Sequence, residues 1–212
     1  MNIKFRLENN NDYFKVEELA REAFWNLYKP GCDEHYLIST MRNHHDFIKE
    51  LDFIAEKDGE IVGSIMYTKS SVINKQNELI ETATFGPLCV HPDFQRIGIG
   101  SALIEYTKER AFRNGFPAII IFGDPHNYYK HGFRTWKDYG ISTMDGKYPF
   151  GLLVLELEKG VFKNHKWKFK ESSVYNVDID KANEYDNRFP EKEKMHKYSQ
   201  DLFLMMIRSF VE

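Results

Sequence analysis

The chain has 212 residues, 42% hydrophobic and 15% aromatic, enough for one large domain or for one domain with an extension. A formal net charge of −3 argues against a strongly basic nucleic-acid binder, and two cysteines, Cys32 and Cys89, exclude a disulfide scaffold and a four-cysteine zinc site. No apolar run approaches the roughly 18 residues that span a membrane, and "MNIKFRLENNND" lacks the apolar stretch of a signal peptide, so the chain reads as cytoplasmic, with no membrane partner.

"NIKFRL" alternates like a strand, and Asp12 is placed to cap the helix predicted over "YFKVEELAREAFWNLY", where Phe14, Leu19, Ala23 and Leu27 recur near helical spacing. After the break at "KPGCD" a second helix is expected around "EHYLISTMRN". "LDFIAEKDGEIVGSIMYTK" reads as a hairpin turning at Asp58-Gly59. "LIETATFGPLCV" is a further strand. "GIGSALIEYTKERAFRNG" is helical, with Ile99, Leu103 and Tyr106 on one face and Gly115 at its end. "AIIIFG" has the continuous apolar character of a strand buried on both faces. A helical turn at "NYYKHG" and a strand at "GLLVLELE" follow. Strands outnumber helices, with at least one strand-helix-strand crossover, so the class is α/β or α+β.

Beyond about residue 158 the texture changes. "FKNHKWKFKESSVYNV" suggests a hairpin, "DIDKANEYDNRFPEKEKMHKYS" is polar, and "QDLFLMMIRSF" reads as an amphipathic terminal helix. The division expected is a main domain over 1–158 and an extension over 159–212 that packs on it, either as plain structure or as the wall of a substrate pocket or dimer interface.

Within "VHPDFQRIGIG", Gly98 and Gly100 open a helix where a side chain would favour it by roughly 1 kcal/mol each. The first N–H groups of a helix lack intrahelical partners and carry the positive end of its dipole, so a phosphate is held there without a cationic side chain. Glycine lets it approach the backbone; a helix start packed too tightly for side chains is the competing explanation. The spacing does not satisfy G-x-G-x-x-G, and no G-K-[ST] follows.

The longer stretch "VHPDFQRIGIGSALI" closely resembles the coenzyme A-binding motif of the GNAT superfamily of acetyl-coenzyme A-dependent N-acyltransferases, Q/R-x-x-G-x-G/A after a strand ending in V-x-P. Gln95, Gly98 and Gly100 stand at its defining positions. A second family feature, a buried strand and an aromatic turn ending in Gly-Phe, is matched by "AIIIFGDPHNYYKHGF", and the resemblance spans about residues 3–157.

The resemblance implies a mixed, bent central sheet flanked by helices and splayed between the "TFGPLCV" and "AIIIFG" strands. It implies that acetyl-coenzyme A lies in the gap as acyl donor, its pantetheine arm against the main chain near Leu88 and Val90. The pyrophosphate would sit on the N–H groups of Arg96, Ile97, Gly98, Ile99, Gly100 and Ser101, and the Gln95 and Arg96 side chains can add contacts to its oxygens. It also implies direct attack by an amine, with an oxyanion held by N–H groups near Leu88 and a tyrosine four residues before the Gly-Phe pair as general acid. That position is Tyr128; its neighbour Tyr129 is the rival, and simple packing against the cofactor is the third possibility. Some members carry a glutamate base in the strand before the motif. Here Thr82 and Thr84 stand there with Glu81 at its start, and the base is not identified.

Trp25, Tyr28, Cys32 and His35 fall in the connection that lines the acceptor side in such proteins. Adjacent residues such as His44 and His45 point apart on a helix, and no metal is expected. A non-catalytic acyl-coenzyme A sensor is the alternative function, and a longer acyl group an alternative donor. The acceptor class and the choice between monomer and homodimer are left open.

Overall fold

The computed structural model describes residues 2–162 and 166–210. The first strands follow the alternation of the sequence: β1 (Ile3–Leu7), β2 (Phe53–Lys57) and β3 (Glu60–Asn74) form an antiparallel run. Asp58 and Gly59 both take positive φ, 52° and 88°, as a tight two-residue hairpin turn requires. β3 continues antiparallel into β4 (Leu79–Val90). The helix α3 (Ile99–Arg113) then crosses over to β5 (Ala118–Phe122), which lies parallel to β4. β8 (Leu152–Glu156) pairs antiparallel with β5, and the short β6 (Arg134–Thr135) pairs with β8.

Alternation sends neighbouring side chains to opposite faces. Ile65 and Tyr67 of β3 join Ile99, Leu103 and Ile104 of α3 in one core, whereas Met66 faces the other side. There it meets Val16 and Leu19 of α1 (Tyr13–Phe24), Ile38 and Met41 of α2 (Glu34–Met41), and Cys89. Burial of these apolar stripes is the main stabilising term, at roughly 25 cal/mol per Å².

The sheet opens in one place. β4 and β5 are registered at Ala83–Ile119 alone. Past that point β4 keeps its partner β3 as far as Gly63–Val90, and β5 keeps β8. A bulge sharpens the divergence, since Ile65 pairs Leu88 and Tyr67 pairs Phe85, leaving Gly86 and Pro87 opposite Met66. An extra residue of this kind bends its strand. The gap falls between the two strands that the family resemblance implied.

Three local expectations need correction. α1 ends at Phe24 and does not reach Tyr28, because Asn26 turns to φ 59° and its Oδ1 accepts the Gly31 N–H at 2.8 Å and the Met195 N–H at 3.1 Å. Asp12 occupies the N-cap position of α1 but caps nothing; its carboxylate accepts from Arg6 at 2.6 and 2.9 Å and from the Asn9 N–H. Among the described residues after Phe162 the partners of the strand lie outside the segment: β9 (Trp167–Lys170) pairs with Ser71–Asn74 of β3 and, in parallel, with β7 (Ile141–Thr143). Residues 163–165 of that expected hairpin lie outside the described residues.

The polar segment yields a helix the sequence did not announce, α5 (Ile179–Asp186), capped by Asp178 accepting the Lys181 N–H. The terminal α6 (Tyr198–Ile207) is anchored by Gln200 Nε2 donating to the Asn26 carbonyl and by Phe203 on Tyr28, while Leu202 and Met205 stay exposed. Among the described residues no helix is long and apolar enough to cross a membrane.

Candidate active site

The turn into α3 is shaped by backbone more than by side chains. Arg96 and Gly98 take positive φ, 61° and 95°, with Ile97 between them in the ordinary region. Alternation of this kind turns successive N–H groups toward one side and makes an anion-receptive concavity. The first bond into the helix runs from the Ala102 N–H to the Gly98 carbonyl, so the N–H groups of Ile99, Gly100 and Ser101 have no intrahelical acceptor. Ile99 anchors the turn with a buried side chain, while Gln95, Arg96, Ile97 and Gly98 are exposed.

The two glycines answer different demands. A Cβ on Gly98 would meet nothing within 4 Å, and one on Gly100 would meet only Val90 Cγ2, at an ordinary 3.6 Å. Tight packing therefore does not explain either residue: Gly98 is needed for its left-handed backbone, and Gly100 leaves the helix start open. Gln95 Nε2 donates to the Val90 carbonyl at 3.0 Å and braces the turn against the end of β4. Leu88 and Val90 are half-buried on the strand that borders the gap.

Across the gap, α4 (Pro125–Tyr128) follows β5, with Asp124 accepting the His126 N–H as cap. The Tyr128 ring lies over Gly123, where a Cβ would come within 2.4 Å of Cε2, and it packs against Phe85 at 5.7 Å and Phe133 at 5.8 Å. Gly123 is thus a positioning residue the sequence reading missed; the signal was a glycine directly after an apolar strand. Tyr129 points elsewhere, 40% exposed and under the Arg134 guanidinium. Burial holds the Tyr128 hydroxyl well above the usual tyrosine range, with further contributions from Tyr28 and Asp124.

The residues between α1 and α2 divide. Trp25 donates Nε1–H to the Glu193 carbonyl, and His35 is wholly buried 3.2 Å from Asp186, so both serve the docking of the extension. Tyr28 packs its ring against Phe203 of the extension, 4.3 Å between centroids, and burial raises its hydroxyl, with further contributions from Glu34 and Asp124. Glu34 opens α2 and is pushed up to about 7 by burial and by Asp33. Burial raises Cys32 and Cys89, the latter to about 12, so both remain thiols at neutral pH.

On β4 no side chain offers a base. Thr84 donates to Ser70 Oγ at 2.9 Å, Thr82 and Ser70 are linked at 2.8 Å, and Glu81 pairs with Lys69 at the surface. Tyr175 of the extension donates to the Gly86 carbonyl at 3.2 Å and so ties residues beyond 158 to the bulge of β4. His44 and His45 do not lie on a helix as expected; they follow α2 with rings 4.2 Å apart, and with Asp46 they bring ligand atoms within 4.8 Å of one another. His44 Nδ1 already accepts the Asp46 N–H, and its Nε2 lies 3.2 Å from Ser173 Oγ.

A sheet parted between two parallel strands, with an anion-receptive helix start on one side and an aromatic turn on the other, is the architecture of an acyltransferase. The chain matches the model of the Acetyltransferase (GNAT) family over residues 21–133 and belongs to that family. It is 23% identical over 130 residues to the uncharacterized N-acetyltransferase YjhQ of Escherichia coli K12, covering 61% of this chain and 68% of that one. Its fold is similar to that of a GNAT family N-acetyltransferase, YhbS, from E. coli, solved with CoA (TM-score 0.72, 18% identity, 84% of this chain and 93% of that one). A Brucella melitensis GNAT acetyltransferase solved with acetyl-CoA gives 0.63 and 20%, over 82% and 98%.

Proposed function

We propose that the protein transfers an acetyl group from acetyl-coenzyme A directly to an amine, with Tyr128 as general acid. The observation that carries this reading is the parting of β4 and β5, with the free N–H groups of Ile99–Ser101 on one side and the Tyr128 ring on the other. The donor's pyrophosphate fits the helix start, where Gly100 leaves room and the dipole favours negative charge. Its pantetheine amides fit the outer edge of β4 beside Leu88 and Val90, much as an added strand would.

In the reaction a neutral amine nitrogen bonds to the thioester carbon, and the carbonyl pair moves onto oxygen, where N–H groups near Leu88 stabilise it. Collapse breaks the C–S bond. Tyr128 protonates the leaving thiolate, and the surplus proton on the new amide nitrogen restores the tyrosine. The raised Tyr128 hydroxyl keeps its proton throughout the neutral range but is a weaker acid for it, so this return of a proton is what makes the step favourable. The thiols of Cys32 and Cys89 have no part in direct transfer.

Tyr128→Phe keeps the ring over Gly123 and deletes the proton. Single-turnover acetyl transfer should slow by about 100- to 10,000-fold, with acetyl-coenzyme A affinity nearly unchanged and Tyr129→Phe close to wild type. A wild-type single-turnover rate for Tyr128→Phe would remove the assignment.

A further inference from the structure

We propose that the acceptor is an arylalkylamine, a cationic primary amine on an apolar ring, and that it binds in a cavity which the chain beyond residue 158 walls off beside the gap. The proposal rests on the amine-acetylation reading above.

An open cavity of about 770 Å³ lies between Phe122 of β5, Ser70 of β3, Phe169 of β9 and Ser172 of the extension. Its size falls within the roughly 300–1,000 Å³ of small-molecule sites. Three contacts place it at the gap. Phe122 ends β5 directly before Gly123, the residue that the Tyr128 ring covers. Ser70 Oγ accepts from Thr84 at 2.9 Å, and Thr84 is the first residue of β4 past the Ala83–Ile119 pair, where the strands part. Tyr175, between the lining residues Ser173 and Asn176, donates to the Gly86 carbonyl at 3.2 Å.

The cavity lies on the face opposite α3. Ile119 and Ile121 of β5 pack with α3, whereas Ala118 and Ile120 pack with Phe169. Phe122 continues the second set, its ring 6.0 Å from that of Phe169. Donor phosphates on the turn into α3 and an amine in the cavity would thus reach the gap from opposite faces. The match to the family ends at residue 133, so the wall of β9 and Ser172–Ser173 lies beyond it.

The lining selects by two properties. Leu79, Phe122 and Met144 are 62%, 46% and 48% exposed at this mouth, beside the buried Phe169. An apolar ring that covers them removes that surface from water. The second property is charge. Lys69 pairs with Glu81 at 3.3 Å and Asp145 with Lys147 at 2.8 Å, so these offset one another. Asp46 accepts the Ser172 hydroxyl at 2.7 Å and lies 3.5 Å from His45 Nε2. Lys170 alternates to the face away from Phe169. Glu171 has no ion pair or hydrogen bond among the described residues. Whatever charge His45 carries, Glu171 leaves the cavity with a negative excess, which attracts an ammonium group and repels a carboxylate.

The test compares kcat/KM for thiol release from acetyl-coenzyme A with phenethylamine, ethylamine, phenylalanine and a lysine peptide. Phenethylamine differs from ethylamine by the ring and from phenylalanine by the carboxylate. It should exceed ethylamine by about 10-fold or more and phenylalanine by about 10-fold or more. Phe122→Ala should collapse the first ratio and Glu171→Lys the second. Acetyl-coenzyme A affinity by calorimetry should be retained in both variants and reports that they are folded. A lysine peptide preferred over phenethylamine, or ratios that neither variant moves, would overturn the assignment while leaving acetyl transfer to amines intact. Donor binding without thiol release to any of the amines would overturn both.

Discussion

Gly98 and Gly100 stand two residues apart and are not equivalent targets. At φ 95°, Gly98 would be strained by any side chain, so its variants confound folding with binding. Gly100 has ordinary backbone and room for a Cβ against Val90. Aspartate there gains helix propensity and sits well with the dipole of the first turn. It also puts a carboxylate where the pyrophosphate would lie. Gly100→Asp should therefore melt at or above the wild-type temperature yet bind acetyl-coenzyme A about 100-fold more weakly, roughly 2.8 kcal/mol at 1.4 kcal/mol per tenfold. Unchanged affinity in calorimetry would dissociate this turn from the donor. The glycine pair was legible in the sequence as a motif; the division of labour between its members was not, because φ is set by the turn and not by composition.

α2 and α5 are joined through a buried polar contact. Arg21 Nε donates to Asp186 at 2.6 Å, His35 Nε2 lies 3.2 Å from the same carboxylate, and Cys32 Sγ lies 3.5 Å from His35 Nδ1. Burial pushes the His35 imidazole down to about 4. The unfolded imidazole, near 6.5, takes up its proton first as the pH falls. The contribution of His35 to stability is thus complete above 6.5 and is lost progressively between 6.5 and about 4. The melting temperature should fall across that window, and His35→Gln should flatten the fall; parallel melting curves would exclude His35 as its source. None of this was visible beforehand. α5 sits in a charged segment with one buried apolar residue, Ala182, so no apolar period marks it, and a histidine's partner 151 positions away (186 − 35) leaves no local signal. The long strands were readable because each carries alternation or a continuous apolar run, whereas β6 and β7, two and three residues long, are too short to show either. The early end of α1 was not, because Asn26 stops it with hydrogen bonds to Gly31 and Met195 that depend on the folded chain.

At the scale of the whole molecule, the expected boundary at 158 falls between β8 and β9, strands of one sheet. Tyr175 reaches the bulge of β4, and Phe203 packs on Tyr28. The turn into α3 and the parting of β4 from β5 follow the family motif and were legible; the contacts that Tyr28 and Gly86 make with the chain beyond 158 meet only in the fold. The central claim is that this assembly moves an acetyl group to an amine. The measurement that tests it most directly is mass spectrometry of an amine panel incubated with protein and acetyl-coenzyme A, alongside titration of released thiol. One acetylated amine should form per thiol released, at a rate that depends on the amine. Tight binding of acetyl-coenzyme A with no acetylated amine and no amine-dependent thiol would contradict the account and leave a protein that senses the donor without using it.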